Sequence, residues 1–271
     1  MTAAVDPYAP AAPVGRSRFL HGLNPLAKLV APVPAIVLLL VARDLTTPLA
    51  FIALAWLLLL AGARLTAGTA ALLFLGIPAA ALLMSIGFGL WIDAARAQPD
   101  IAVLVLGDYR FTLGMWRVGA ATALRLAAIV VLSLLAGLTT AAPDVARALV
   151  QQLRVPYRVG YTALAAFRFV PRLGHELEVI RQAHRVRGMA GGRGPLAGIR
   201  RGIGYAVPLL AGAIRHAERV ALAMDARAFG AHPTRTERHL VPFRARDIVF
   251  VLLFWAATAA LVLTISTLEL P

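Results

Sequence analysis

The chain has 271 residues, of which 60% are apolar, and it carries a formal net charge of +14. Ordinary water-soluble domains are about 45–50% apolar. With a mean hydropathy of +0.77, this chain is expected in a bilayer rather than around a water-surrounded core. It has no cysteine, which excludes disulfides, thiolate metal ligands and cysteine nucleophiles. The basic excess is almost all arginine; Lys28 is the one lysine.

In chain order, residues 1–18 are polar and rich in alanine and proline, without the basic-then-apolar pattern of a signal peptide. Five stretches then read as membrane spans: 26–41, 48–63, 70–91, 118–138 and 248–268. A span needs roughly 20 apolar residues. The first two are short by that measure and read as tilted pieces of one packed hairpin. Pro32 and Pro34 weaken the first locally, and neighbouring helices can satisfy the freed carbonyls. Arg125 lies about two turns into the fourth stretch and is expected to snorkel to the near interface. Between the third and fourth spans, Gly107-Asp108 reads as a turn between two short apolar segments, which predicts a small hairpin.

The fourth and fifth spans enclose residues 140–247, with 18 arginines against seven acidic residues. Basic density near the span ends, at Arg147, Arg154, Arg244 and Arg246, places this block in the cytoplasm. Five crossings then put the N-terminus inside, with Arg16, Arg18 and Lys28, and Glu269 outside. Within the block, 143–153 reads as a short helix and 161–187 as a longer one interrupted at Pro171. Gly191, Gly192 and Gly194 predict a turn. Residues 206–228 read as another helix, ended by Gly230 and Pro233, so the two long helices form a helical hairpin. Leu173, Leu177 and Ile180 fall on one stripe of the first. Leu210, Ile214, Ala217, Ala221 and Met224 fall on one stripe of the second. Ala213, Ala217 and Ala221 repeat every four residues, which lets another helix approach closely.

Several chemistries lack their residues. Lys28 follows no glycine-rich phosphate loop, so the chain is not expected to hydrolyse ATP alone. No carboxylate falls inside the five spans, whereas proton- and ion-coupled transporters place ionisable groups there. The six histidines form no metal-ligand pair at helical spacing, and there is no nucleophile elbow. No catalytic, cofactor-binding or metal residue is therefore assigned.

Four pieces of sequence carry a resemblance. They are 23–29 with Asn24-Pro25 and Lys28-Leu29, then 139–144 ending in Pro143-Asp144. The third is 164–171 leading through Glu176 to Ala183-His184-Arg185-Val186-Arg187-Gly188, and the fourth is 221–227. Through them the chain resembles the T component of energy-coupling factor (ECF) transporters, a class of ABC importers for vitamins and transition metals. The resemblance implies an all-α membrane protein with about five transmembrane helices and a cytoplasmic pair of long coupling helices. It implies a non-catalytic subunit that partners two ABC ATPase subunits and a membrane substrate-binding S subunit in a prokaryotic cell membrane. It divides the chain into an N-terminal cytoplasmic segment (1–25), transmembrane helices (26–139), the cytoplasmic coupling region (140–247) and a last span (248–268).

By the same resemblance, the coupling helices end in Ala-Arg-Gly-like signatures whose arginines dock into ATPase grooves. Those signatures are Val186-Arg187-Gly188 and Ala226-Arg227-Ala228, with valine for the family's alanine in the first and alanine for its glycine in the second. Leu173, Leu177, Ile180, Ala213, Ala217 and Ala221 are the candidate contacts between helices or with the substrate subunit. An alternative from another class is a membrane protein that binds anionic lipid or nucleic acid through its arginine-rich block. Aromatic residues for base stacking are sparse there, and nucleic acid is not the expected partner.

Overall fold

The computed structural model describes residues 19–92, 101–106, 109–188 and 195–268. The described residues up to 141, with those from 242 onward, form one compact unit; residues 142–241 belong to another. The first contains three helices long and apolar enough to cross a membrane, Ala67–Trp91, Leu113–Thr139 and Ala245–Thr267. It also contains two shorter apolar stretches, Pro25–Val41 and Thr46–Gly62. The chain is an all-α membrane protein with one small hairpin added.

Helix α1 (Pro25–Val30) starts at Asn24, whose side-chain oxygen accepts the Leu26 N–H at 2.9 Å, with proline at the first helical position. The chain turns at Pro32 before α2 (Val33–Val41), so the prolines do divide this stretch. Helix α3 (Thr46–Gly62) follows. Helix α4 (Ala67–Ala71) passes through a wide π turn at Leu72–Gly76 into α5 (Ile77–Trp91). That turn falls just before Pro78, which has no N–H to continue the ladder. Strands β1 (Ala102–Leu106) and β2 (Tyr109–Thr112) pair antiparallel, with Leu106 opposite Tyr109. This is the expected hairpin; its Gly107-Asp108 turn lies outside the described residues.

Helix α6 (Leu113–Thr139) starts on Thr112, whose hydroxyl accepts the Met115 N–H at 3.3 Å. It lies so close to α5 that a Cβ on Gly119 would sit 2.4 Å from the Ser85 carbonyl oxygen and 2.5 Å from the Gly89 nitrogen. Small residues are what permit such backbone approach between apolar helices. Leu39, Phe51, Leu59, Val131, Leu132 and Leu135 are buried in the core of this unit.

The second unit holds α7 (Ala142–Gln152), α8 (Tyr157–Val186) and α9 (Pro195–Asp225). Helix α10 (Ala245–Leu268) then returns to the first. Two readings from sequence need correction. Helix α8 runs through Pro171 without a break. A proline removes one ladder bond and crowds one carbonyl, a local defect that the remaining bonds of a 30-residue helix outweigh. Helix α9 starts at Pro195, well before the expected 206. Gly198, Gly202 and Gly204 disfavour helix by about 1 kcal/mol each, but proline suits the first turn, and Gly204 packs beside His184 of α8. The glycine turn read at 191–194 lies outside the described residues.

Candidate docking site at two helix tips

Each signature sits at the C-terminal cap of a long helix, and in both caps a left-handed residue follows the arginine and donates back three residues. At the first, Arg187 occupies the cap of α8 and Gly188 follows in the left-handed region at φ 71°. The Gly188 N–H reaches back to the Arg185 carbonyl at 3.1 Å. At the second, Arg227 precedes Ala228, which is left-handed at φ 55°. The Ala228 N–H donates to the Asp225 carbonyl at 2.9 Å and the Phe229 N–H to the Met224 carbonyl at 3.0 Å. Those two bonds define the glycine-type helix stop. Here it is made with alanine.

This cap places both arginines at the negative end of a helix. Their backbones end a helix whose last carbonyls carry partial negative charge, which favours a cation there. Val186 is 89% exposed, and Arg187, Gly188, Ala226, Arg227 and Ala228 are exposed too. Neither Arg187 nor Arg227 makes an ion pair with a described residue. A planar guanidinium so presented can take a carboxylate through two parallel hydrogen bonds.

The second tip is braced by a strap that sequence reading missed. After Phe229, the chain folds back over α7 and α8 as an extended segment. Tyr157 Oη donates to the His232 carbonyl at 2.6 Å, and Arg158 donates to the Gly230 carbonyl. Gln151 grips the strap twice, donating to the His239 carbonyl and accepting from the Val241 N–H, both at 2.8 Å. Gln152 donates to the Val241 carbonyl at 2.8 Å. The Arg235 guanidinium lies 4.5 Å from the Tyr161 ring centre, within cation–π range. Burial first, then its hydrogen bond to Glu237, holds the Tyr161 phenol above the ordinary tyrosine value. Stability drawn from that shift is present below the ordinary value and is lost only as pH rises through the raised one.

The two sets of stripe residues part company. Leu173, Leu177 and Ile180 are half-buried, interleaved with Phe169, Glu176 and His184, which meet α9. Phe169 stacks on His216 at 4.5 Å, and His184 meets Tyr205 edge-on at 5.1 Å. A Cβ on Gly212 would lie 2.7 Å from Glu176 Oε2. The close approach on α9 is thus made by Gly212, while Ala213 is half-buried and Ala217 and Ala221 are exposed. Ile203, Val207, Leu210 and Ile214 are 59–70% exposed and continue the line of Ala217 and Ala221 at alternating spacings of four and three. Such spacing is the seam along which another helix packs.

In the membrane unit a buried polar knot explains the first and second pieces of the resemblance. Lys28, 1% exposed, donates to the Thr139 carbonyl at 2.8 Å, at the end of α6. Asp247 accepts the Asn24 and Arg244 N–H groups, each at 2.7 Å, and so caps α10 while tying it to α1. Sequence reading left Asp247 unmarked, because it sits one residue before the apolar run. Among the described residues no group of three or more His, Asp or Glu could hold a metal ion.

A family model described as "Cobalt transport protein" (CbiQ) matches residues 16–238. The chain belongs to the CbiQ family. This CbiQ-family chain is also similar to the energy-coupling factor transporter transmembrane protein EcfT of Streptococcus equi. The two are 27% identical over 244 residues, covering 86% of this chain and 88% of that one. It is 35% identical over 101 residues to the EcfT of Thermotoga maritima, covering 37% of each. A stretch of 100 residues is 37% identical to a Bifidobacterium longum protein named as an ABC transporter ATP-binding protein, covering 35% of this chain and 13% of that protein. The chain thus spans well under half of the last two relatives and most of the first. Family and apolar helices together make it a membrane component of bacterial energy-coupling factor transporters.

Proposed function

We propose that this chain is the coupling subunit of an ECF-type importer, passing ATPase motion to a separate substrate-binding membrane subunit. The observation that carries this is the repeated cap: two long helices end in exposed arginines, each followed by a left-handed residue. Two ABC ATPases dock there, one on Val186-Arg187-Gly188 and one on Ala226-Arg227-Ala228. A similar stretch in a protein named for ATP binding supports that partnership. ATP binding closes the ATPases and displaces the tips. Helices α8 and α9 carry the displacement to the seam from Ile203 to Ala221, where the substrate-binding subunit packs and is reoriented. The cargo is a vitamin or a transition metal ion; the family's description favours cobalt. This chain performs no chemistry on it, and its coupling block faces the cytoplasm.

Exchange of both Arg187 and Arg227 for glutamate tests the docking. Desolvated charge pairs typically lose about 2–5 kcal/mol when one partner is removed. The double variant should therefore lose both ATPases on co-purification while still inserting in the membrane. An intact complex would refute the docking assignment. Loss of binding that tracks salt concentration alone, without protein partners, would favour the anionic-lipid reading.

A further inference from the structure

Arg125 is a cation near the middle of an apolar helix long enough to cross a membrane. It follows Leu113, the first residue of α6, by 12 positions and precedes Thr139, the last, by 14. At 1.5 Å per residue it stands about 18 Å from one end of α6 and about 21 Å from the other. The helix begins five residues before the stretch read from sequence, so Arg125 stands farther from its end than that reading implied. If α6 is centred in a hydrocarbon core about 30 Å thick, the Arg125 backbone lies roughly 13 Å from the nearer edge. An extended arginine reaches about 7 Å, so its guanidinium falls short of the lipid phosphates.

No described residue answers its charge. Within the membrane unit the described carboxylates are Asp44 and Asp247. Asp44 accepts from Thr46 and Thr47, and Asp247 from Asn24 and Arg244. Arg125 is half-buried and its Nε is enclosed without an acceptor. A second donor shares that condition: the indole N–H of Trp56 on α3 is also buried without a partner. Trp56 borders an apolar cavity of about 250 Å³ between α3, α5 and α6, which is also lined by Leu124 and Ala127 of α6. A span otherwise this apolar carries a charged residue at a cost unless a counter-charge meets it.

We propose that Arg125 is an intramembrane docking residue for a carboxylate on a transmembrane helix of the substrate-binding membrane subunit. The inference rests on the coupling role proposed above, and adds a contact inside the bilayer to the contact along α9. A planar guanidinium at the edge of a packed face fits a carboxylate bidentately. With α6 so centred, the side chain is too short for the lipid headgroups, and a protein carboxylate is the answering charge.

The test uses the complex purified from the native membrane, with Arg125→Met, Arg125→Lys and Arg125→Glu. Arg125→Met keeps length and suits lipid, so the variant chain alone should melt higher than wild type. Its hold on the substrate-binding subunit should weaken about 3- to 20-fold, the range for polar contacts between spans, with both ATPases retained. Arg125→Lys should keep most of the binding. Arg125→Glu should lose it, and regain it when one intramembrane Asp or Glu of the co-purified subunit is changed to arginine. Full retention of that subunit by Arg125→Met would overturn the proposal, as would loss of a bound phospholipid in its place. If wild type brings down no second membrane protein, the coupling role itself fails.

Discussion

Ala228 is the residue at which this chain departs most tellingly from its own pattern. A side chain in the left-handed region costs about 1–2 kcal/mol relative to the right-handed one, and glycine escapes that cost. Gly188 occupies the region at φ 71° with nothing near the place of its missing Cβ. Ala228 occupies it at φ 55° with a Cβ present. Ala228→Gly should therefore stabilise the second tip by about 1 kcal/mol, and Gly188→Ala should destabilise the first by a similar amount. Hydrogen exchange at the amides of Ala226 and Phe229, and at that of Arg187, would measure the two effects separately. Alanine sits in the strained place of a turn closed by its own two backbone bonds and braced at Gly230 by Arg158. The resemblance expects both arginines at helix ends, and the structure places them there. The left-handed caps were legible only where a glycine announced them.

The helices were legible because their apolar residues recur at helical spacing, and the one hairpin because Gly107-Asp108 divides two apolar segments. Proline misled in one place and informed in another. Pro32 ends a six-residue helix that has no ladder to spare, while Pro171 sits midway along one of 30 residues. The strap was not legible, because its bonds join side chains of α7 and α8 to backbone carbonyls and one backbone N–H 72–90 residues away. No spacing rule encodes that. Gln151 is the most economical place to test it, since one side chain supplies two strap bonds. Gln151→Leu removes both at a cost of about 1–2 kcal/mol. Amide exchange across residues 229–241 should quicken about tenfold, with the amides of 183–187 unchanged as the internal control. Unchanged exchange in the strap would mean that packing of Phe229 on Tyr157, rather than the polar grip, holds it.

At the level of the whole molecule, the coupling role requires one thing of topology. The two arginine tips must face the compartment that holds ATP, and the β1–β2 hairpin must face the other. The hairpin precedes α6 and the block beginning with α7 follows it in the chain, so the coupling role predicts that α6 crosses the membrane between them. Arginine density on the later side favours the cytoplasm. The absence of cysteine makes the sidedness measurable without further engineering, because any introduced thiol is the only one. Val186 is 89% and Ile101 74% exposed, so each accepts a cysteine without disturbing a core. In everted membrane vesicles from cells expressing this chain without the ATPases, a membrane-impermeant maleimide should label Val186→Cys and leave Ile101→Cys unmodified. In right-side-out vesicles the pattern should reverse. Labelling of both positions from one side would mean that α6 does not cross alone, and labelling of Val186→Cys only from outside would remove the tips from any contact with ATPases.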